Sequence, residues 1–116
     1  MSNSILEEIA RLGVRSQCAT DKGGAAFARL LQIAETGNTS QARRVAAFVA
    51  STFNGRRFPF DPFELRAVDA EISDDMLCCL DALRWAQADL YSLVPDGHSR
   101  VRAVIQRWGL ASRSAS

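Results

Sequence analysis

Apolar residues in this chain recur three and four positions apart, which is the spacing of one face of an α-helix. The clearest run comprises Phe27, Leu30, Leu31 and Ala34. No segment alternates apolar and polar residues over a useful length, as a half-buried β-strand would. The sequence therefore predicts an all-α fold. Its 116 residues suit one domain that can bury a core without disulfides or metal.

Caps and helix breakers divide the chain into five or six short helices. Ser4 and Glu7 form a capping box, and Gly13 is typical of the position just past a helix end. Asp61 followed by Pro62 is a typical helix start. The predicted helices span 5–12, 24–36, 40–53, 62–70, 74–90 and 98–108, the fourth and fifth being either separate or one kinked helix. We predict a compact single-domain bundle over residues 1–110, in which 1–23 form an N-terminal helix and connector, with a frayed tail at 111–116.

Composition and motifs exclude several classes of protein. No apolar run reaches the length of a membrane span, and the N-terminus lacks a basic leader, so we expect a cytoplasmic protein without a membrane partner. The three cysteines show no metal-ligand spacing, which favours reduced thiols. His98 is the single histidine and lies where residues usually cap a helix. We therefore predict no enzyme, no metal and no cofactor.

Charge is distributed unevenly along the chain, although the net charge is only +1. Residues 1–59 and 97–116 are basic, whereas residues 60–96 carry nine acidic side chains and two basic ones. Thirteen of the 14 basic residues are arginine, which binds carboxylates and phosphates in a bidentate manner. A GC-rich genome and internal pairing between the opposite blocks are the alternative explanations.

One predicted helix combines an apolar stripe with an acidic face. On the helix at 74–90, the stripe expected to face the core comprises Met76, Cys79, Leu80, Leu83, Ala86 and Leu90. The opposite side carries what we call the acidic face: Asp74, Asp81, Trp85 and Asp89. Either this face packs against a second helix layer, or Trp85 anchors a protein partner, since tryptophan is enriched in interface hot spots.

Arginine pairs offer a second candidate surface. They are Arg43 with Arg44 and Arg56 with Arg57, the latter pair in a proline-containing loop. Small helical DNA-binding proteins use such residues, and the helix at 40–53 could then serve as a recognition helix. The pI of 7.8 is below that expected of a DNA-binding domain, so nucleic acid is the alternative partner rather than the favoured one.

From about Ala28 to Leu110 the chain resembles an uncharacterised family of small proteins encoded on proteobacterial integrative and conjugative elements and plasmids. The resemblance depends on the segments Leu30–Ala34, Gln41–Ala46 and Asp74–Met76, together with Phe60 and Asp61. These are packing and capping positions. The resemblance therefore implies a genomic setting but assigns no functional residue.

That setting shapes the functional hypothesis. Mobile elements encode small helical proteins that bind host machinery, including inhibitors of CRISPR–Cas immunity. We expect a non-enzymatic accessory protein that binds a host or element protein, with a CRISPR–Cas component as the leading example, by steric or electrostatic competition. The alternative is a small DNA-binding or transcriptional accessory protein. The sequence does not define the oligomeric state.

Overall fold

The computed structural model describes residues 2–112, and every regular element among them is helical. Four α-helices are joined by loops that contain two short 3₁₀ helices. The α-helices are α1 (Ser2–Thr36), α2 (Ser40–Phe53), α3 (Ala70–Trp85) and α4 (Gly97–Trp108), and the 3₁₀ helices are Pro62–Arg66 and Leu90–Leu93. The all-α class is confirmed, with four α-helices instead of five or six.

The N-terminal third is a single helix, so the predicted break at Gly13 and the connector at 13–23 are wrong. α1 runs for 35 residues through all three of its glycines. An interior glycine costs a helix about 1 kcal/mol relative to alanine, which neighbouring turns and packing can offset. No proline occurs in the segment to remove a backbone hydrogen bond.

Gly23 lies where α1 and α3 approach each other most closely. A Cβ atom there would overlap the Ala82 methyl group and come within 3.1 Å of the Cys78 carbonyl oxygen. The Cys79 thiol donates a hydrogen bond to the Gly23 carbonyl oxygen at 3.8 Å. The glycine is therefore retained because it gives α3 room to pack, rather than because it ends a helix.

The core lies between these helices and is closed by α2 and α4. α2 matches its predicted bounds, and its cap, the Thr39 hydroxyl, accepts a hydrogen bond from the Ala42 amide at 3.1 Å. The largest fully buried side chains come from all four α-helices: Phe27, Leu30, Leu31, Val45, Val49, Phe48, Met76, Val101 and Val104. A ring-edge contact joins Phe48 to Phe60 of the loop at 5.2 Å between centroids.

α3 differs from its prediction in both its bounds and its buried face. It begins at Ala70 and ends at Trp85, because Ala86 takes a left-handed backbone conformation with φ of 57°. Its buried side chains are Met76, Cys79 and Ala82. Leu80 and Leu83, which were expected in the core, are 41% and 46% exposed. The small side chains face the core because close packing against α1 favours them over leucine.

The predicted helix at 62–70 is also shorter than expected. A 3₁₀ helix covers only Pro62–Arg66, and the Asp61 carboxylate caps it by accepting from the Phe63 amide at 3.0 Å. Of the predicted tail, residues 111–112 are exposed and non-helical, and 113–116 lie outside the described residues.

Polar contacts fix α4 against the C-terminal end of α1. The Arg100 guanidinium donates to both carboxylate oxygens of Glu35, at 2.8 and 2.9 Å, and lowers the pKa of Glu35. The Trp108 indole N–H donates to the Ala34 carbonyl oxygen at 2.8 Å. Arg107 donates to the carbonyl oxygens of Ala34 and Gly37. The carbonyls that α1 leaves unpaired at its end are thereby partly satisfied.

Two of the three interior glycines of α1, Gly13 and Gly23, should respond oppositely to the same change. Gly23→Ala should lower the free energy of unfolding by about 1–3 kcal/mol, because the new methyl group overpacks the contact with Ala82. Gly13→Ala should raise it by up to about 1 kcal/mol, because nothing lies within 4 Å of that position and alanine favours helix. Urea denaturation of both variants measures this. A destabilised Gly13→Ala variant would contradict a helix through residue 13.

Candidate interaction site

The N-terminal residues of α1 extend beyond the rest of the molecule. α1 is about 52 Å long at 1.5 Å per residue, and the longest dimension of the protein is 55 Å. Contacts with the end of the α3 region begin at Arg15 and Ser16, where the Gln87 amide donates to the Ser16 hydroxyl. Every residue from 3 to 14 is exposed. We call residues 3–14 the arm.

The arm carries apolar side chains that no other part of residues 2–112 covers. The exposed fractions are 60% for Ile5, 61% for Leu6, 61% for Ile9, 38% for Leu12 and 70% for Val14. At 100° per residue, Ile5, Ile9 and Leu12 share one face, whereas Val14 lies on the other side. An amphipathic helix normally turns its apolar stripe toward a core, whereas the stripe of the arm faces solvent.

The arm stripe continues the face of α1 that packs against α3. Alternating steps of four and three residues lead from Ile5 through Ile9 and Leu12 to Ser16. The same steps continue through Ala19, Gly23, Ala26 and Leu30, all of which are buried. α3 therefore covers the C-terminal part of one continuous seam and leaves its N-terminal part open. The sequence predicted the arm's apolar spacing, but placing a helix end at Gly13 separated it from the seam.

The acidic face is only partly available to a partner. Asp74 is exposed and forms no ion pair within residues 2–112. Asp81 accepts a hydrogen bond from Arg84 at 2.6 Å. Trp85 is half-buried, with the guanidinium carbons of Arg15 and Arg84 at 5.4 and 4.8 Å from its ring. The tryptophan thus packs against arginine side chains, a cation–π arrangement that holds it near α1.

Asp89 is separated from the other three residues of the acidic face. It lies beyond the end of α3, at the start of the second 3₁₀ helix, and its negative charge raises the pKa of Tyr91. Asp81 and Trp85 are linked through Arg84, and Asp74 lies nearly two turns from Asp81 along α3. Three residues of the predicted acidic face therefore lie along α3, namely Asp74, Asp81 and Trp85, and Asp89 lies beyond the helix end.

The four arginines proposed for nucleic acid do not form one surface. Arg43 donates to the Trp108 carbonyl oxygen at 3.4 Å, and Arg44 pairs with Glu64. Arg56 is exposed in the loop. Arg57 donates to the Ser112 hydroxyl at 2.9 Å and lies over the Phe58 ring at 5.8 Å. Three of the four therefore make contacts within the chain.

A groove between the loop and α4 brings Arg57 together with Arg102, an arginine outside the four predicted for nucleic acid. It has a volume of about 770 Å³, and its polar lining comprises Arg57, His98, Ser99, Arg102 and Gln106. Phe53 forms an apolar part of the wall and contacts the His98 ring edge-on at 5.3 Å. Only tertiary structure joins residues 57 and 102, so no sequence signal could have paired them. We call this the arginine groove.

The cysteines occupy three different environments. Cys18 is exposed on α1, Cys78 is half-buried, and Cys79 is buried. Burial raises the pKa of Cys79 to about 12, so its thiol stays protonated and is a poor nucleophile. Within residues 2–112, no three acidic, cysteine or histidine side chains cluster as metal ligands would, and no helix has the length and apolar character to cross a membrane.

The family comparison covers most of the chain. A model described as a family of unknown function, DUF7673, matches residues 24–109. The protein belongs to this family. Comparisons with curated proteins and with solved structures give no match. The family match begins inside α1, so it contains α2, α3 and α4, while the arm lies outside it.

The adjacent residues Asp75 and Asp74 of α3 should differ in their effect on stability, because only Asp75 forms an ion pair within residues 2–112. Asp75 receives two hydrogen bonds from Arg29, at 2.8 and 3.0 Å, which tie α3 to α1. Asp75→Asn should lower the free energy of unfolding by roughly 1 kcal/mol. Asp74→Asn should change it by less than about 0.5 kcal/mol. Thermal or urea unfolding measures both, and equal losses would show that Asp74 also supports the fold.

Proposed function

We propose that this protein is a non-enzymatic protein-binding module that acts through its arm. The observation that carries the proposal is the row of exposed aliphatic side chains Ile5, Leu6, Ile9 and Leu12 on a rigid helix. Exposed apolar patches of this kind mark interaction sites on soluble proteins. A helix that lays such a stripe into a groove or against another helix is a common mode of recognition.

The geometry favours binding at low entropic cost. An isolated helix of the arm's length would be marginal in water, because helix nucleation is costly. Here the arm extends a helix whose later turns are already held by α2, α3 and α4, so the ordering of its backbone precedes binding. Complete burial of an aliphatic side chain contributes about 1.5–3 kcal/mol, so a few such residues suffice for specific association.

The partner we propose is a host or element protein, and a CRISPR–Cas component is the first to test. Resemblance to proteins of mobile elements supports this choice. Trp85, beside Arg15, and Asp81, one turn before it, would then add contacts next to the arm, whereas Asp74 lies toward the far end of α3, where its neighbour Asp75 contacts Arg29. Binding would act by steric or electrostatic competition, and no group of the chain would undergo chemistry.

Two substitutions of similar size test the proposal. Ile9→Gln should remove most of the captured partner when tagged protein is incubated with nuclease-treated lysate containing an active CRISPR–Cas system. Val14→Gln should leave capture unchanged, since Val14 is equally exposed but lies on the opposite side of the arm. Mass spectrometry with isotope-labelled samples measures the ratio, and we expect at least a tenfold loss for Ile9→Gln, about 1.4 kcal/mol.

Unfolding curves of both variants serve as the control, because neither residue contributes to the core. Equal capture by wild type and Ile9→Gln would contradict a role for the arm. Capture that disappears on nuclease treatment of the wild-type sample would favour nucleic acid instead.

The arginine groove supports nucleic acid binding as a second candidate function. Its lining holds two arginines and a histidine and no acidic residue. Guanidinium groups bind phosphate oxygens, and the neighbouring Phe53 and Phe58 offer apolar surface for a base. The groove therefore has the charge and shape of an anion-binding surface.

Charge reversal in the arginine groove tests nucleic acid binding separately from protein binding by the arm. Arg57→Glu combined with Arg102→Glu should abolish binding to a DNA duplex at low salt and flatten its dependence on salt concentration. Arg66→Glu, an exposed arginine outside the groove, should have a smaller effect. Fluorescence anisotropy measures all three proteins. Absence of binding by the wild type at low salt would remove this function.

A further inference from the structure

We propose that the arm binds the arm of a second copy of this chain in an antiparallel pair. The inference rests on the proposed function only in taking the apolar stripe as a binding surface, and it assigns that stripe a second copy of this chain in place of a host protein. Homodimers with twofold symmetry are the commonest oligomers, and their interfaces must be complementary to themselves. The arm meets that requirement in its length, its direction and its charges.

The open part of the seam has the length of one arm. α3 is antiparallel to α1, as shown by the contacts of Arg29 with Asp75, Gly23 with the Ala82 region and Ser16 with Gln87. α3 therefore runs toward the N-terminus of α1 and stops near Ser16. An antiparallel arm from a second copy would begin there and continue in the same direction over Leu12, Ile9 and Ile5. The partner's arm would extend the packing that α3 already makes.

Charges beside the stripe favour the antiparallel orientation. Glu8, Arg11 and Arg15 lie along one flank of the stripe, and Leu6 and Gly13 lie on the other. Within one chain Glu8 pairs with Arg11, and the Arg15 guanidinium lies over the Trp85 ring, so contacts between copies would add to these pairs or exchange with them. In an antiparallel pair each flank faces its own copy, so Glu8 of one chain lies opposite Arg11 and Arg15 of the other. In a parallel pair Glu8 would face the flank of Leu6 and Gly13, which carries no charge.

The same charges argue against a lipid surface as the occupant. Helices that lie on membranes carry an excess of lysine and arginine on their polar face. The arm has two acidic residues, Glu7 and Glu8, against one basic residue, Arg11. Burial of four aliphatic side chains from each copy corresponds to about 1,000 Å², the lower end of specific interfaces, so we expect a dissociation constant on the order of micromolar.

Sedimentation equilibrium of the full chain tests self-association directly. The wild type should pass from monomer to dimer as concentration rises through the micromolar range. Ile9→Gln should remain monomeric, whereas Val14→Gln should dimerise like the wild type. A wild type that stays monomeric to near-millimolar concentration would overturn the proposal, as would a dimer unaffected by Ile9→Gln.

Charge exchange tests whether the pairing is between chains. Glu8→Arg makes one flank wholly basic and should weaken the dimer about tenfold, and Arg11→Glu should weaken it similarly. A mixture of the two variants should recover the wild-type affinity, because each supplies the charge that the other needs. Glu7→Arg is the matched control, since Glu7 faces away from the stripe. Failure of the mixture to recover affinity would contradict the proposed pairing.

The native Cys18 reports the orientation. It is exposed on α1, just beyond the arm. In an antiparallel pair centred near Ala10, the two Cys18 residues are about 16 positions apart along the axis, or about 24 Å. Spin labels on Cys18 should show a separation of at least that distance by pulsed electron resonance. Labels at the same level, closer than about 20 Å, would indicate a parallel pair and overturn the orientation.

Other binding partners of the arm would give different results in these experiments. A monomeric wild type that still captures a lysate protein through Ile9 would overturn self-association and leave the proposed function intact. A monomeric wild type whose Ile9 is required for binding vesicles of anionic phospholipid, and which captures no protein, would overturn both.

Discussion

The close contact between α1 and α3 at Gly23 and Ala82 is the constraint on which the rest of the structure depends. Because neither position carries a large side chain, the two helices approach until the Cys79 thiol reaches the Gly23 carbonyl oxygen. This approach decides which face of α3 is buried, and it leaves the bulkier Leu80 and Leu83 partly in solvent. It also fixes α1 as one rigid helix, which is the condition for an ordered arm beyond the body.

Much of the fold follows from local sequence signals, and the failures share a cause. The periodicity of residues 40–53 and the threonine cap before them define α2 correctly, since both signals lie within the helix itself. Gly13 resembles a helix end in sequence and Gly23 was assigned to the connector, but α1 runs through both: one is tolerated and the other permits packing. The predicted core stripe of α3 is confirmed at Met76 and Cys79, but it is wrong at Leu80, Leu83 and Ala86, which are exposed. Which apolar face is buried depends on the neighbouring helix, and local sequence does not contain that information.

The candidate site likewise combines features that local sequence predicts with features that only the tertiary structure shows. The apolar spacing of Ile5, Ile9 and Leu12 was visible in sequence, but their exposure required knowing that no other part of the described chain reaches them. Conversely, the sequence left Trp85 either packed against another helix or free to anchor a partner, and the structure places Arg15 of α1 and Arg84 beside its ring. Charged residues are the least predictable members of a site, because their availability depends on partners distant in sequence.

The family match and the exposed seam together divide the protein into two parts. Residues 24–109 contain nearly all of the core and every contact that closes α2 and α4 onto α1. The arm adds nothing to that core, yet it keeps five aliphatic side chains in water, and burial of those along the stripe would favour association. If α1 began near Ser16, the packed body would keep its core and this exposed surface would be absent. Because the arm exposes apolar side chains and contributes nothing to the core, we attribute it to association with another molecule. Pairing of Glu8 with Arg11 across a twofold axis would set the antiparallel direction of that association.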